Sequence, residues 1–289
     1  MYAITGITGK VGGELARALL AAGQPVRAVV RDADKGPEWA ARGCQVTVAE
    51  MEDAEALARA FTGTTAAFIL PPSEFDPAPG YSEAREVIDS ITRALQTARP
   101  GRVLSLSTIG ADAVHHNLLT QRTLLEAALR RLDLPVTLLR PAWFMENAAW
   151  DVAAARDSGV LHSFLQPADK AFPMVATRDI GRLAARLIQE EWTGLRVVEL
   201  EGPRRVSPND LAQAFATVLG RPVEVRTIPR ESWETLFRDQ GMRNPGPRVR
   251  MLDGFNEGWI EFAANSAGSV KGPTELAEVI AALVTAQAP

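Results

Sequence analysis

The sequence predicts an α/β protein with a doubly wound parallel sheet, and three observations lead there. Strand-like apolar runs and helical stripes alternate six times between Tyr2 and Arg140, the pattern of consecutive β-α-β crossovers. Residues 66–70, Ala-Ala-Phe-Ile-Leu, are apolar without interruption, as a parallel strand buried on both faces requires. The first connection, Thr5-Gly6-Ile7-Thr8-Gly9-Lys10-Val11-Gly12, sets its glycines between a strand and a helix. Right-handed crossovers then give strand order 3-2-1-4-5-6.

Taken in order, Tyr2-Ala3-Ile4 forms the first strand, and Val11, Leu15, Leu19 and Ala22 make the stripe of the first helix. Gly23 ends that helix and Gln24-Pro25 turns into a strand over 26–30. Residues 45–49 form the third strand, 53–61 a helix with Leu57 and Phe61 inward, and 66–70 the fourth strand, stopped by Pro71-Pro72. A loop over 75–80 stands where it could gate a site, before a helix over 82–98. Strand five covers 102–106, a helix covers 117–131, and strand six runs over 135–140 until Pro141 stops it. A helix is expected to follow Asn147 and end near Gly159, with strand-like, turn-rich chain from 160 to 175. Thr177-Arg178-Asp179 opens a further helix, and 196–200 is a seventh strand. Ser207-Pro208-Asn209-Asp210 has the cap, N1 proline and N3 acid of a helix start. Residues 1–206 are read as the nucleotide-binding domain. Residues 207–289, with parts of 141–175, are read as a small α+β subdomain on the substrate side.

The glycine turn gives that organisation a chemistry. Gly6 permits a tight exit from the strand, Gly9 lets backbone approach a pyrophosphate, and Gly12 allows close helix packing. Thr8, Lys10 and Val11 complete the candidate cradle, because the N–H groups and dipole of a helix start favour phosphate charge. In this context the turn marks a Rossmann dinucleotide site. Arg31 stands at the end of the second strand, where an acid would select NAD and an arginine accommodates the 2′-phosphate of NADP. NADP(H) is therefore expected over NAD(H), with Lys35 adding charge and Asp32 offsetting part of it. Glu50, Leu70 and Pro71, at the ends of strands three and four, are assigned to the same crevice.

Composition excludes several alternatives. The 289 residues are 46% hydrophobic and 23% charged, ordinary for a globular enzyme. A net charge of −4 offers no field for nucleic acid or an anionic membrane. Cys44 is the single cysteine, which rules out an internal disulfide and a cysteine-cluster metal site. The three histidines lack metal-ligand spacing, so no metal is expected. No apolar run approaches a membrane span of about 20 residues, and cytosol is the expected compartment, with a monomer or homodimer as the assembly.

At this point the chain resembles the NmrA-like family, atypical members of the short-chain dehydrogenase/reductase superfamily. The stretches that carry the resemblance are Thr5 to Gly12, Arg140-Pro141-Ala142-Trp143-Phe144-Met145-Glu146-Asn147, and Ala176-Thr177-Arg178-Asp179-Ile180-Gly181. Gly202-Pro203 and Asp253-Gly254-Phe255-Asn256-Glu257-Gly258-Trp259 also fit. The resemblance implies a nucleotide-binding sheet with a small lobe closing a cleft. It implies either NADPH-dependent reduction of a quinone-like acceptor or redox sensing without turnover.

The chain departs from the wider superfamily at one point. The Tyr-x-x-x-Lys pair expected on the helix after strand five is replaced by Leu118 and Arg122, which argues against a tyrosine relay there. Arg122 either holds the nicotinamide ribose or is a surface arginine, and it cannot hand on a proton. Ser107 and Thr108 are candidate donors to substrate or ribose, or simply loop caps. His115 is a candidate acid because histidine titrates near neutrality, although histidines in such loops often face solvent. Trp143 and Phe144 are candidates for the flat wall on which the nicotinamide and a quinone-like electron acceptor stack.

Overall fold

The computed structural model describes residues 1–263 and 268–287. The strands are β1 (Tyr2–Ile4), β2 (Val26–Val30), β3 (Gln45–Val48), β4 (Ala66–Ile69), β5 (Val103–Leu106) and β6 (Val136–Pro141). They continue with β7 (Trp143–Phe144), β8 (Val160–Ser163), β9 (Met174–Val175), β10 (Leu195–Glu201), β11 (Glu224–Thr227) and β12 (Val270–Lys271). The helices are α1 (Lys10–Ala21), α2 (Gly36–Ala41), α3 (Ala54–Phe61), α4 (Ser82–Ala98), α5 (Thr120–Leu129) and α6 (Val152–Asp157). After them come α7 (Thr177–Gln189), α8 (Pro208–Leu219), α9 (Trp233–Asp239), α10 (Gly246–Glu257) and α11 (Leu276–Ala286).

The main sheet has the order β12-β10-β6-β5-β4-β1-β2-β3, and every neighbouring pair in it is parallel. The expected order is therefore present, with β10 as the seventh strand and β12 as an eighth. Helices α1 and α7 cover one face, burying Val11, Leu15, Leu19, Ile180 and Leu187 against Ile4, Phe68 and Leu139. On the other face α3, α4 and α5 bury Leu57, Phe61, Ile91 and Leu125 against Ala67, Ile69 and Leu138. A third core gathers Met145, Val152, Leu161, Phe172, Phe215, Trp233, Phe237 and Phe255. It lies under α8 to α11 and the parallel pair β8–β11, which register Val160 on Glu224.

Several expectations need correction. Pro141 belongs to β6: it lacks only an N–H, and its C=O accepts from the Ile109 N–H at 2.9 Å. Instead of leading directly into a long helix, Trp143–Phe144 pairs with Met174–Val175, and Met145–Trp150 is a 3-10 turn before the short α6. The helix expected from residue 117 begins at Thr120. The Asn117 Oδ1 accepts from the Leu119 N–H at 2.8 Å and holds the lead-in as a turn, as asparagine favours. Helix α2 and strand β12 were not foreseen. The latter is two residues long and gains its place by pairing with Leu200–Glu201, which no short-range periodicity announces.

Candidate functional site

The carboxyl ends of the parallel strands open into a cleft of about 1230 Å³, the place where open α/β sheets bind ligands. Its floor starts at the glycine turn. The Thr5 Oγ1 donates to the Phe68 C=O at 3.0 Å and accepts from the Leu70 N–H at 2.8 Å, so β1 and β4 leave the sheet together. Gly6 has φ +62°, a left-handed value that favours glycine, and its C=O accepts from the Gly9 N–H at 3.0 Å. Gly9 is the N-cap of α1, with no side chain capping the first turn and no acidic residue in it. The first N–H groups of α1 thus lack intrahelical partners, and exposed Thr8, Gly9 and Lys10 border the cleft. Val11 lines it as well. Gly12 does not. A Cβ there would lie 2.3 Å from the Gly6 C=O oxygen, so this glycine lets the helix close onto the turn itself.

Arg31 is exposed at the end of β2 and lines the cleft. Its neighbour Asp32 spends a carboxylate oxygen on the Asp34 N–H at 2.9 Å. Leu70 and Pro71 line the cleft from β4, but Glu50 does not. Its side of the cleft is formed by Ala49, Met51 and Glu52, and Glu50 points to solvent.

The loop after β4 is tied down from two directions. The Arg122 Nη2 donates to the Pro71 C=O and the Ser73 Oγ, both at 2.8 Å. Gln121 exchanges hydrogen bonds with the Glu74 backbone. From the turn between α9 and α10, the Arg243 and Asn244 N–H groups donate to Asp76 at 2.9 and 2.7 Å. Those backbone bonds, chiefly, hold the Asp76 carboxyl below the usual range. Burial draws the Arg122 guanidinium down to about 10, which leaves it charged at neutral pH. Arg122 lines the cleft while bracing Pro71 and Ser73, just ahead of the 75–80 loop expected to gate it.

Ser107 and Thr108 end β5 in the cleft, and here a buried network changes the expectation. The Ser107 Oγ donates to the Glu126 Oε1 at 2.5 Å. Arg140 grips the same carboxylate through Nε at 2.8 Å and Nη2 at 2.7 Å, and reaches Asp112 at 2.8 Å. Ser107, Glu126 and Arg140 are only 5%, 3% and 6% exposed. Burial alone would push the Glu126 carboxyl up, but hydrogen bonds from Arg140 and Ser107 outweigh it and hold the group below the usual range. Glu126 is therefore ionised and can only accept. Ser107 spends its one proton on it, so its hydroxyl is not free to be the donor expected in the cleft.

Trp143 and Phe144 line the cleft as expected, and Trp143 meets Phe255 edge-on at 5.1 Å. Glu146 instead faces α7, where it accepts from the Thr177 N–H at 2.9 Å and Oγ1 at 2.6 Å. His115 corrects another expectation. It is exposed, lies edge-on to Trp259 at 5.0 Å, and is not among the cleft residues. Two further groups shape the site. Glu126 sits between Leu125 and Leu129 on the apolar stripe of α5, where a charge among buried leucines is its one sequence signal. Asp151 lines the cleft half-buried, and desolvation pushes its carboxyl up to about 6; its sequence neighbourhood carries no comparable signal.

The NmrA-like family model matches residues 2–258. The NAD(P)H azoreductase of Xenophilus azovorans is 26% identical over 259 residues, 89% of this chain and 85% of that protein. Quinone oxidoreductase 2 of Escherichia coli is 28% identical over 246 residues, 84% of this chain and 82% of that protein. Among solved structures, an NADPH-dependent quinone oxidoreductase from Escherichia coli complexed with NADPH superposes with a TM-score of 0.80. The match covers 98% of this chain and 99% of that one at 24% identity. The triphenylmethane reductase of Citrobacter sp. gives 0.77 at 22% identity, over 98% and 99% of the two chains. At these identities the superpositions speak to the fold. No described helix is long and apolar enough to cross a membrane.

Proposed function

The chain belongs to the NmrA-like family, and from that premise we propose that it is an NADPH-dependent oxidoreductase passing hydride to a small, flat, quinone-like acceptor. One observation carries the reading: a single cleft joins the uncapped start of α1 to a chamber walled by Trp143, Leu161, Phe164 and Phe255. The first part suits a dinucleotide phosphate and the second suits an apolar ring. The azoreductase and quinone reductase activities named for its relatives point the same way.

The donor set at the turn fits such a cofactor. The backbone N–H groups of Lys10 and Val11 would hold its pyrophosphate, with Gly9 leaving room for it, and Arg31 its 2′-phosphate. When bound, the reduced nicotinamide supplies the hydride. Trp143 and Phe144 orient flat rings in the chamber, and apolar walls exclude water around them. Arg122 supplies positive charge beside the cleft, and with Leu118, in the turn before α5, in place of a tyrosine there is no tyrosine relay to deliver a proton. That composition favours acceptors whose reduction produces a stabilised phenolate, which water can protonate, over simple ketones and aldehydes.

NADPH consumption by purified protein, screened over quinones, azo compounds and aldehydes, tests the reading. Quinones are expected to be reduced well ahead of aldehydes. Trp143→Ala should lower kcat/KM for a quinone roughly two- to twelvefold, the loss of about 0.5–1.5 kcal/mol of ring contact. His115→Ala should leave it unchanged, since that ring faces outward. Absence of turnover with every acceptor, beside tight nucleotide binding, would favour a redox sensor instead. A second expectation concerns cofactor choice. Arg31→Ala should cost about 1.5–3 kcal/mol of NADPH affinity, the value of a charge-assisted hydrogen bond, and little of NADH affinity. Equal affinity of the unaltered protein for both cofactors would refute the proposed preference.

A further inference from the structure

We infer that Asp151 forms a cation subsite in the acceptor chamber, so that the enzyme prefers acceptors carrying a fixed positive charge beside the reducible ring. This inference rests on the reductase reading above and adds to it the charge of the substrate. Asp151 stands where the 3-10 turn Met145–Trp150 passes into α6, half-buried and lining the cleft with Leu161, Leu211 and Val225.

Partnering sets this carboxylate apart. Glu126 is held by Arg140, Asp179 by Thr274, Glu201 by Lys271, and Asp253 by Arg230 and Arg250. Glu146 accepts from Thr177. Among the described residues, the Asp151 side chain has no hydrogen bond or ion pair, and desolvation is the one cause of its raised pKa. A desolvated carboxylate without a partner is costly to ionise, and a cation docking against it recovers that cost. A quaternary ammonium suits the surroundings, since it needs no hydrogen-bond acceptors and packs its methyl groups on aliphatic and aromatic walls. Leu161, Leu211 and Val225, which line the same cleft, offer the former, and Trp150, next to Asp151 in sequence and 71% exposed, offers the latter.

The test uses two naphthoquinones of matched shape, one with a 2-(trimethylammonio)ethyl arm and the other with its neutral 3,3-dimethylbutyl isostere. The unaltered enzyme should show a KM for the cationic quinone roughly tenfold lower than for the neutral one, a modest value for a partly desolvated charge pair. Asp151→Asn should bring the ratio close to one. Asp157→Asn, on the exposed side of the same helix, should keep it. Equal KM values in the unaltered enzyme, or a ratio that survives Asp151→Asn, would overturn the subsite. If neither quinone is reduced, the reductase reading fails by itself, and equilibrium binding of the same pair, followed by tryptophan fluorescence, decides the subsite. Tighter binding of the cation that disappears in Asp151→Asn supports it, and equal binding refutes it.

Discussion

Glu126→Ala is expected to destabilise the fold by about 3–5 kcal/mol, the usual result of removing one partner from a buried ion pair. The substitution leaves the Arg140 guanidinium nearly sealed from water, with only Asp112, itself half exposed, still in contact at 2.8 Å. It also frees the Ser107 hydroxyl, which loses its acceptor at 2.5 Å. Urea unfolding of the two proteins measures the difference, and a loss below about 1 kcal/mol would show that the network is dispensable. The pair also has a pH signature. The folded protein holds the Glu126 carboxyl below its unfolded value, so the unfolded chain takes up this proton first as pH falls. The stabilisation is complete above the ordinary glutamate pKa of about 4.3 and is lost as pH drops from there through the depressed folded value. Unaltered protein should therefore lose stability over that acidic window more steeply than the Ala variant. A parallel decline would contradict an ionised, paired Glu126.

The second large effect lies in the glycine turn, where two glycines with different roles should behave differently. A Cβ at Gly12 would meet the Gly6 oxygen at 2.3 Å and its carbonyl carbon at 2.7 Å. Both are backbone atoms of the same turn, so neither can swing aside. Gly12→Ala should thus cost about 1–3 kcal/mol of stability and displace the N–H groups proposed to hold phosphate, weakening the nucleotide at least tenfold. At Gly9 the nearest atom to a Cβ is the Gly6 oxygen at 3.3 Å, with no other contact within 4 Å. Gly9→Val should fold nearly as well as the parent and still fail to bind nucleotide, because the side chain occupies the space proposed for pyrophosphate. Calorimetric titration beside thermal unfolding separates the two cases. A Gly9→Val protein with unchanged NADPH affinity would mean that the turn is only structural.

The loop after β4 is held at several points. Arg122 and Gln121 bind Pro71 and Glu74 from α5, while the Arg243 and Asn244 N–H groups bind Asp76. The segment over 75–80 expected as a gate is thus anchored near its start.

By itself the sequence determined the parallel sheet, its order through β6, the existence of a seventh strand, the glycine turn at the start of α1, and the positions of Arg31, Leu70, Pro71, Trp143 and Phe144 at the cleft edge. These are legible because they rest on short-range regularities: buried strands are apolar runs, helices repeat every three to four residues, and a strand-to-helix turn needs glycine where φ is positive. The family segment from Arg140 to Asn147 was also visible, but not what its residues do. Only the tertiary structure decided that Arg140 pairs with Glu126, that Glu146 caps α7, that Ser107 donates to Glu126, and that His115 and Glu50 face away from the cleft. Those outcomes depend on partners 14, 31 and 19 residues away for the first three, and on which side of a turn the chain leaves for the last two. Polar side chains choose partners by burial and reach in three dimensions. Asp151 is the extreme case: what distinguishes it is the lack of a partner in an apolar cleft, a property that exists only once the chain has folded around it.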